Sequence, residues 1–130
     1  MSSFEKTITV GQEDLDDLNH VNNVRFVQWI QDISKEHWQK VAPPEIQKEV
    51  VWVVMNHNIT YKNAAKLDDI VRIRTYIAQS RGATSVRIVE MYNDKTNLLL
   101  LRSNTEWCLL NGNTLRPKRI SQDIVQLFSN

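Results

Sequence analysis

The stretch NNVRFVQWIQDISKEHWQKV, running from Asn22 to Val41, decides the fold. Phe26, Ile30, Ile33, His37 and Val41 recur in it at spacings of four and three, with Trp29 beside them, which is the periodicity of one face of an α-helix. Asn22 and Asn23 suit its start, because a short amide side chain accepts from the first unpaired N–H groups of a helix. Pro43 and Pro44 end it, since proline has no N–H to continue the ladder. No other segment combines this length with this period.

Outward from the helix the period becomes two. Before it, Phe4 to Val10 alternates and reads as a short strand. After it, Val51 to Lys62 reads as a strand with Val51, Val53, Met55, His57, Ile59 and Tyr61 on one apolar face. Asp69 to Gln79 alternates Val71, Ile73, Thr75 and Ile77 against Arg72, Arg74 and Tyr76. Gly82 marks the turn into Ala83 to Tyr92, and Asn93-Asp94 the turn into Leu98 to Leu110. Ser121 to Phe128 reads as a short closing helix capped by Ser121. Strand, long helix, then four consecutive strands with short turns predict an antiparallel sheet of about five strands. Such a sheet must cover one face, and only the long helix can do so. The class is α+β, a sheet wrapped around one central helix.

The chain of 130 residues fits one domain spanning residues 1–130, and it has three glycines and three prolines, too few for a linker or collagen-like protein. Its formal charge of +1 gives no bulk electrostatic grip on nucleic acid or an anionic membrane. Cys108 is the one cysteine, which excludes an internal disulfide and a cysteine-based metal site. It lies in an apolar run and is expected to be a buried, inert thiol. The start MSSFEKTITV has neither the basic head nor the apolar core of a signal peptide, and no run has the length of a membrane span. The expected location is cytoplasmic.

Just before the helix stands an acidic, turn-like stretch, Glu13, Asp14, Asp16, Asp17, Leu18, Asn19, followed by His20-Val21-Asn22-Asn23. For Glu13, Asp14 and Asp17 the expected role is a solvated turn. The segment Asp14 to Asn23, followed by Phe26 and Trp29, resembles the signature opening of the 4-hydroxybenzoyl-CoA thioesterase-like family of hotdog proteins, and related acyl-ACP thioesterases carry a similar stretch. The resemblance continues through Ile59-Thr60-Tyr61-Lys62-Asn63-Ala64-Ala65, Asp69, Ser80-Arg81 with Ser85, and Asn111-Gly112 leading to Arg116-Pro117. Two positions depart from the pattern. Asn19 stands where the family has glycine before the histidine, and asparagine tolerates a left-handed backbone better than most residues. Leu18 stands where plant-type acyl-ACP enzymes have asparagine, which leaves the arrangement of the bacterial acyl-CoA enzymes, with an aspartate alone, as the better match.

The resemblance implies a hotdog fold, hydrolysis of an acyl-CoA or acyl-ACP thioester, and a dimer with two composite sites, often doubled to a tetramer. It places the family's acidic residue on Asp16. Thioester hydrolysis needs a nucleophile or a base for water, and donors for the carbonyl oxygen as it gains charge. Asp16 stands just upstream of a helix N-terminus, where free N–H groups and the positive end of the dipole lie. It is expected either to attack the thioester or to deprotonate a water. His20 is expected to hold the loop or the substrate by a hydrogen bond, and no metal-ligand partner stands at suitable spacing from it. The backbone amides of Asn22 and Asn23, first of all helix caps, are candidate oxyanion donors. His57 and His37 are expected to be hydrogen-bonded core residues.

Trp29, Trp38 and Trp52 read as core or interface rather than as a nucleic-acid stacking platform. Trp29, which follows the motif on the helix, is also carried as a candidate substrate contact. Arg81 and Arg116 are candidate contacts for the phosphates of coenzyme A or for an acidic carrier protein, with solvated surface charge the equal alternative. No cofactor is expected. The competing readings are a non-catalytic acyl-binding domain and, more distantly, a hotdog hydratase or dehydratase.

Overall fold

The computed structural model describes residues 2–129. Strand β1 (Ser3–Thr9) leads through a single 3-10 turn (Gln12–Asp14) to helix α1 (Asn23–Val41), then a short helix α2 (Pro44–Glu49). Strands β2 (Val50–Tyr61), β3 (Ile70–Arg81), β4 (Thr84–Asn93) and β5 (Leu99–Asn111) follow, and helix α3 (Gln122–Leu127) closes the chain. The five strands form one antiparallel sheet in the order β1-β3-β4-β5-β2, and α1 lies on its inner face. This is the α+β architecture that the helix and alternation patterns predict. The short helix α2, opened by the prolines that stop α1, was not among the expected elements. Pro44 fits there because the first turn of a helix needs no N–H.

Two expectations for β2 are corrected. The first concerns its neighbour: β2 does not pair with β3 but crosses to the far edge, against β5. The segment between β2 and β3 instead docks on the loop before α1, where Val21 N–H donates to the Ala65 carbonyl at 2.9 Å and His20 bridges Lys66. The second concerns its faces. The register slips between Val54 and Asn56, leaving Met55 as an extra residue, and a bulge of this kind reverses which face each later residue occupies. Val50 and Trp52 therefore point to the core before the bulge and Ile59 after it, while Val51 and Met55 are exposed.

The interior has two apolar clusters. One gathers Phe26, Trp29, Ile30 and Ile33 of α1 against Val71, Ile73, Val89, Met91 and Leu101 of the sheet. The other lies at the far end of α1, around Val50, Leu109, Ile120, Ile124 and Phe128. Between them runs a band of inward polar side chains, with Thr75, Arg87, Thr105 and His57 on four strands facing Ser34 and His37 of the helix. Ser34 is satisfied by the Ile30 carbonyl at 2.7 Å. Among the described residues no helix is long and apolar enough to cross a membrane.

Candidate active site

The loop before α1 is tied at both ends. Asp14, expected in solvent, is 5% exposed. Its Oδ1 accepts from Arg25 Nε at 2.7 Å and its Oδ2 from Gly11 N–H at 2.8 Å. An ion pair to the first turn of α1 thus fixes the loop to the helix, so the solvated-turn expectation fails for this residue.

Asp16 closes the turn. Its Oδ1 accepts the N–H of Leu18 at 2.9 Å and of His20 at 3.1 Å, and its own N–H donates to the His20 carbonyl at 2.8 Å. Asn19 takes φ of +60°, the left-handed conformation this tight turn demands. With Oδ1 held by the loop, Oδ2 meets no donor among the described residues. It is a carboxylate oxygen in fixed orientation with a free lone pair.

Asp16, His20, Asn23 and Phe26 line one surface groove of about 400 Å³, whose opposite wall is Tyr61, Lys62 and Asn63 from the end of β2. The His20 imidazole makes no hydrogen bond to a described residue; the loop at this position is held through the His20 backbone, by Asp16 and Lys66, so of the two expected roles the loop-fixing one is not the imidazole's. At the start of α1, Asn22 caps the helix through Oδ1, which accepts from Val24 N–H at 2.9 Å. The Asn22 N–H is itself engaged by the Asp14 carbonyl at 2.8 Å, so it is not available as an oxyanion donor. The Asn23 N–H, by contrast, meets no acceptor among the described residues and sits at the positive end of α1.

Three other expectations separate from this site. Trp29 is packed in the core, 6% exposed and edge-on to Phe26 with ring centroids 5.7 Å apart, and it does not line the groove. Arg81 and Arg116 are exposed at the opposite end of the sheet. Arg81 aligns through Thr84 and Cys108 with Val53, eight residues before Tyr61 on β2, or about 25 Å along the strand. One chain therefore does not bring them to Asp16. The cation it does bring is Lys62, which the sequence reading quoted within a motif without giving it a role.

His57 and Cys108 sit as expected: His57 Nδ1 is 2.8 Å from Thr105 Oγ1, burial lowers its pKa, and the Cys108 thiol is buried. Among the described residues no group of three His, Cys, Asp or Glu side chains is placed to hold a metal ion.

The family model of the acyl-ACP thioesterase N-terminal domain matches residues 1–128. No curated protein sequence matches the chain. A 1,4-dihydroxy-2-naphthoyl-CoA thioesterase from Synechocystis superposes with a TM-score of 0.85 at 14% identity, over 99% of this chain and 97% of its own. A Staphylococcus aureus protein solved in complex with CoA gives 0.86 at 14% identity, over 98% of this chain and 82% of its own. The 12:0-ACP thioesterase from Umbellularia californica gives 0.83 at 17% identity, over 98% of this chain but 49% of its own, so this chain corresponds to about half of that enzyme. At these identities the likeness is one of fold, the hotdog.

Proposed function

Since the chain belongs to the family of the acyl-ACP thioesterase N-terminal domain, whose reaction is the hydrolysis of acyl thioesters, we propose that Asp16 carries that reaction in the groove at the N-terminus of α1. The observation that supports it most is the state of the carboxylate: one oxygen is locked by two backbone N–H groups and the other is free beside His20 and the unpaired Asn23 N–H. In this reading the thioester carbonyl oxygen lies against Asn23 N–H, which gains strength as the oxygen becomes negative. The free oxygen of Asp16 takes a proton from water as it adds to the carbonyl carbon, or adds there itself to give an anhydride that water then opens. The carbon–sulfur bond breaks, and the thiol leaves with a proton. The His20 imidazole, without a protein partner, is available to hydrogen-bond the substrate.

The carrier is coenzyme A or an acyl carrier protein. Lys62 on the groove wall gives the phosphate-bearing arm a cation, and the neighbour solved with CoA supports a CoA ester. Arg81 and Arg116 reach the arm if a second copy pairs antiparallel about a two-fold axis, because such pairing sets the far end of one chain beside the Asp16 end of the other. The proposed assembly is accordingly a homodimer or a homotetramer of two such pairs. Steady-state thiol release over a panel of acyl-CoA esters and acyl carrier protein counterparts tests the reading. Turnover of one acyl class is the expected result, and no release from any member overturns it in favour of a non-catalytic acyl-binding domain.

A further inference from the structure

A cavity of about 300 Å³ opens between the second half of α1 and the inner face of the sheet. Its walls include Trp38, Trp52, Trp107 and Phe128, with Ser85 and Arg87 among them, and no aspartate or glutamate lines it. It shares no lining residue with the Asp16 groove. Trp38 stands fifteen residues beyond Asn23 on α1, about 22 Å along the axis.

Arg87 is the unusual wall. It is 4% exposed, yet its partners are all neutral: Nη1 donates to His37 Nδ1 at 2.9 Å and to Thr75 Oγ1 at 3.0 Å, and its guanidinium lies 5.5 Å from the Phe128 ring centre. Among the described residues it takes part in no ion pair, and no acceptor meets its Nε or Nη2. Burial lowers its pKa to about 9, which leaves it charged at neutral pH. Burying a cation without a counter-charge costs several kcal/mol, so packing stability alone does not account for an arginine on an inward face. Trp52 and Trp107 line the same cavity from β2 and β5.

A buried guanidinium without a counter-charge thus borders an aromatic cavity that no aspartate or glutamate lines. We propose that this cavity binds a small aromatic carboxylic acid, its carboxylate on Arg87 and its ring among Trp38, Trp52 and Trp107, at a site separate from the thioester groove. A volume of about 300 Å³ is at the low end for small-molecule pockets, which suits one or two rings rather than a long acyl chain. The carboxylate supplies charge-assisted acceptors and the indoles supply edge and face contacts.

Calorimetric titration of the full chain with 1-naphthoate, and with 1-naphthalenemethanol as its neutral counterpart, tests this independently of catalysis. The acid is expected to bind saturably, one per chain, at least about tenfold tighter than the alcohol. Arg87→Met should abolish that preference and still fold, because an apolar residue replaces a buried unpaired charge at little or no cost. Trp107→Phe cuts back one aromatic wall of the cavity and should weaken the acid about threefold or more; it serves alone if Arg87→Met does not fold. Asp16→Asn should leave acid affinity unchanged. Equal affinities for acid and alcohol, no heat at millimolar acid, or full acid affinity in both Arg87→Met and Trp107→Phe would each overturn the proposal. Loss of acid binding in Asp16→Asn would also overturn it, by placing the acid in the thioester groove.

Discussion

Acidification from pH 7 to pH 5 is expected to weaken the fold by about 2 kcal/mol through His37 alone. The imidazole is 1% exposed, between Phe4 and Phe128, with Nδ1 accepting from Arg87. Burial first, then the charges of Arg87 and Lys40, hold its pKa at about 4 against 6.5 in the unfolded chain. Above pH 6.5 both states are neutral at this residue and nothing is lost. Between pH 6.5 and 4 the unfolded chain takes up a proton that the folded chain refuses, so stability falls as pH falls. Below pH 4 the loss is complete, at about 3 kcal/mol. Urea unfolding at pH 7 and pH 5, on the parent and on His37→Gln, isolates the effect. The Gln carbonyl can still accept from Arg87 but takes no proton, so the contributions of all other groups cancel between the two proteins. The parent should lose about 2 kcal/mol more than the variant over this interval. Parallel losses would refute the reasoning.

Asp14→Ala removes the Arg25 pair and the Gly11 contact together, and should lower stability by about 2 kcal/mol in thermal unfolding; an unchanged Tm would return Asp14 to the role of a solvated turn. Arg81→Ala and Arg116→Ala should raise KM for an acyl-CoA with kcat little changed, and the effect should shrink at high salt. An unchanged KM in both would make them plain surface charge. Light scattering at micromolar concentration should give at least twice the 15.2 kDa chain mass, and a monomer would contradict a composite site.

The helix and the alternating strands were legible because each pattern is local: Phe26, Ile30 and Ile33 mark one helix face, and Val71, Ile73 and Thr75 one strand face. What escaped depends on contacts between distant segments. The bulge at Met55 is one inserted residue with no signature of its own, yet it reverses the faces of β2 beyond it. The placement of β2 beside β5 rather than β3 is a tertiary choice that eight consecutive residues, 62–69, make possible without announcing it. At the candidate site, Asp16, His20 and Asn23 could be grouped because they are neighbours in sequence. Tyr61, Lys62 and Asn63 join them only through the docking of the β2–β3 connection. Asp14 read as solvent-facing because its partner Arg25 lies eleven residues on, across the helix start. Arg87 was missed although a signal existed, since it shares the inward parity of Val89 and Met91 on β4.

The central claim is that the charge of Asp16 performs the hydrolysis, and the kcat of Asp16→Asn tests it most directly. Asparagine Oδ1 can accept the same Leu18 and His20 N–H groups, so the turn is preserved and only charge, basicity and nucleophilicity are removed. Alanine would open the turn and confound the two effects. Turnover should fall by about 10²-fold or more, roughly 3 kcal/mol of transition-state stabilisation, with Tm and KM close to parental. Asp17→Asn, one position along and exposed, should be nearly silent. A folded Asp16→Asn protein that keeps parental kcat would contradict the account.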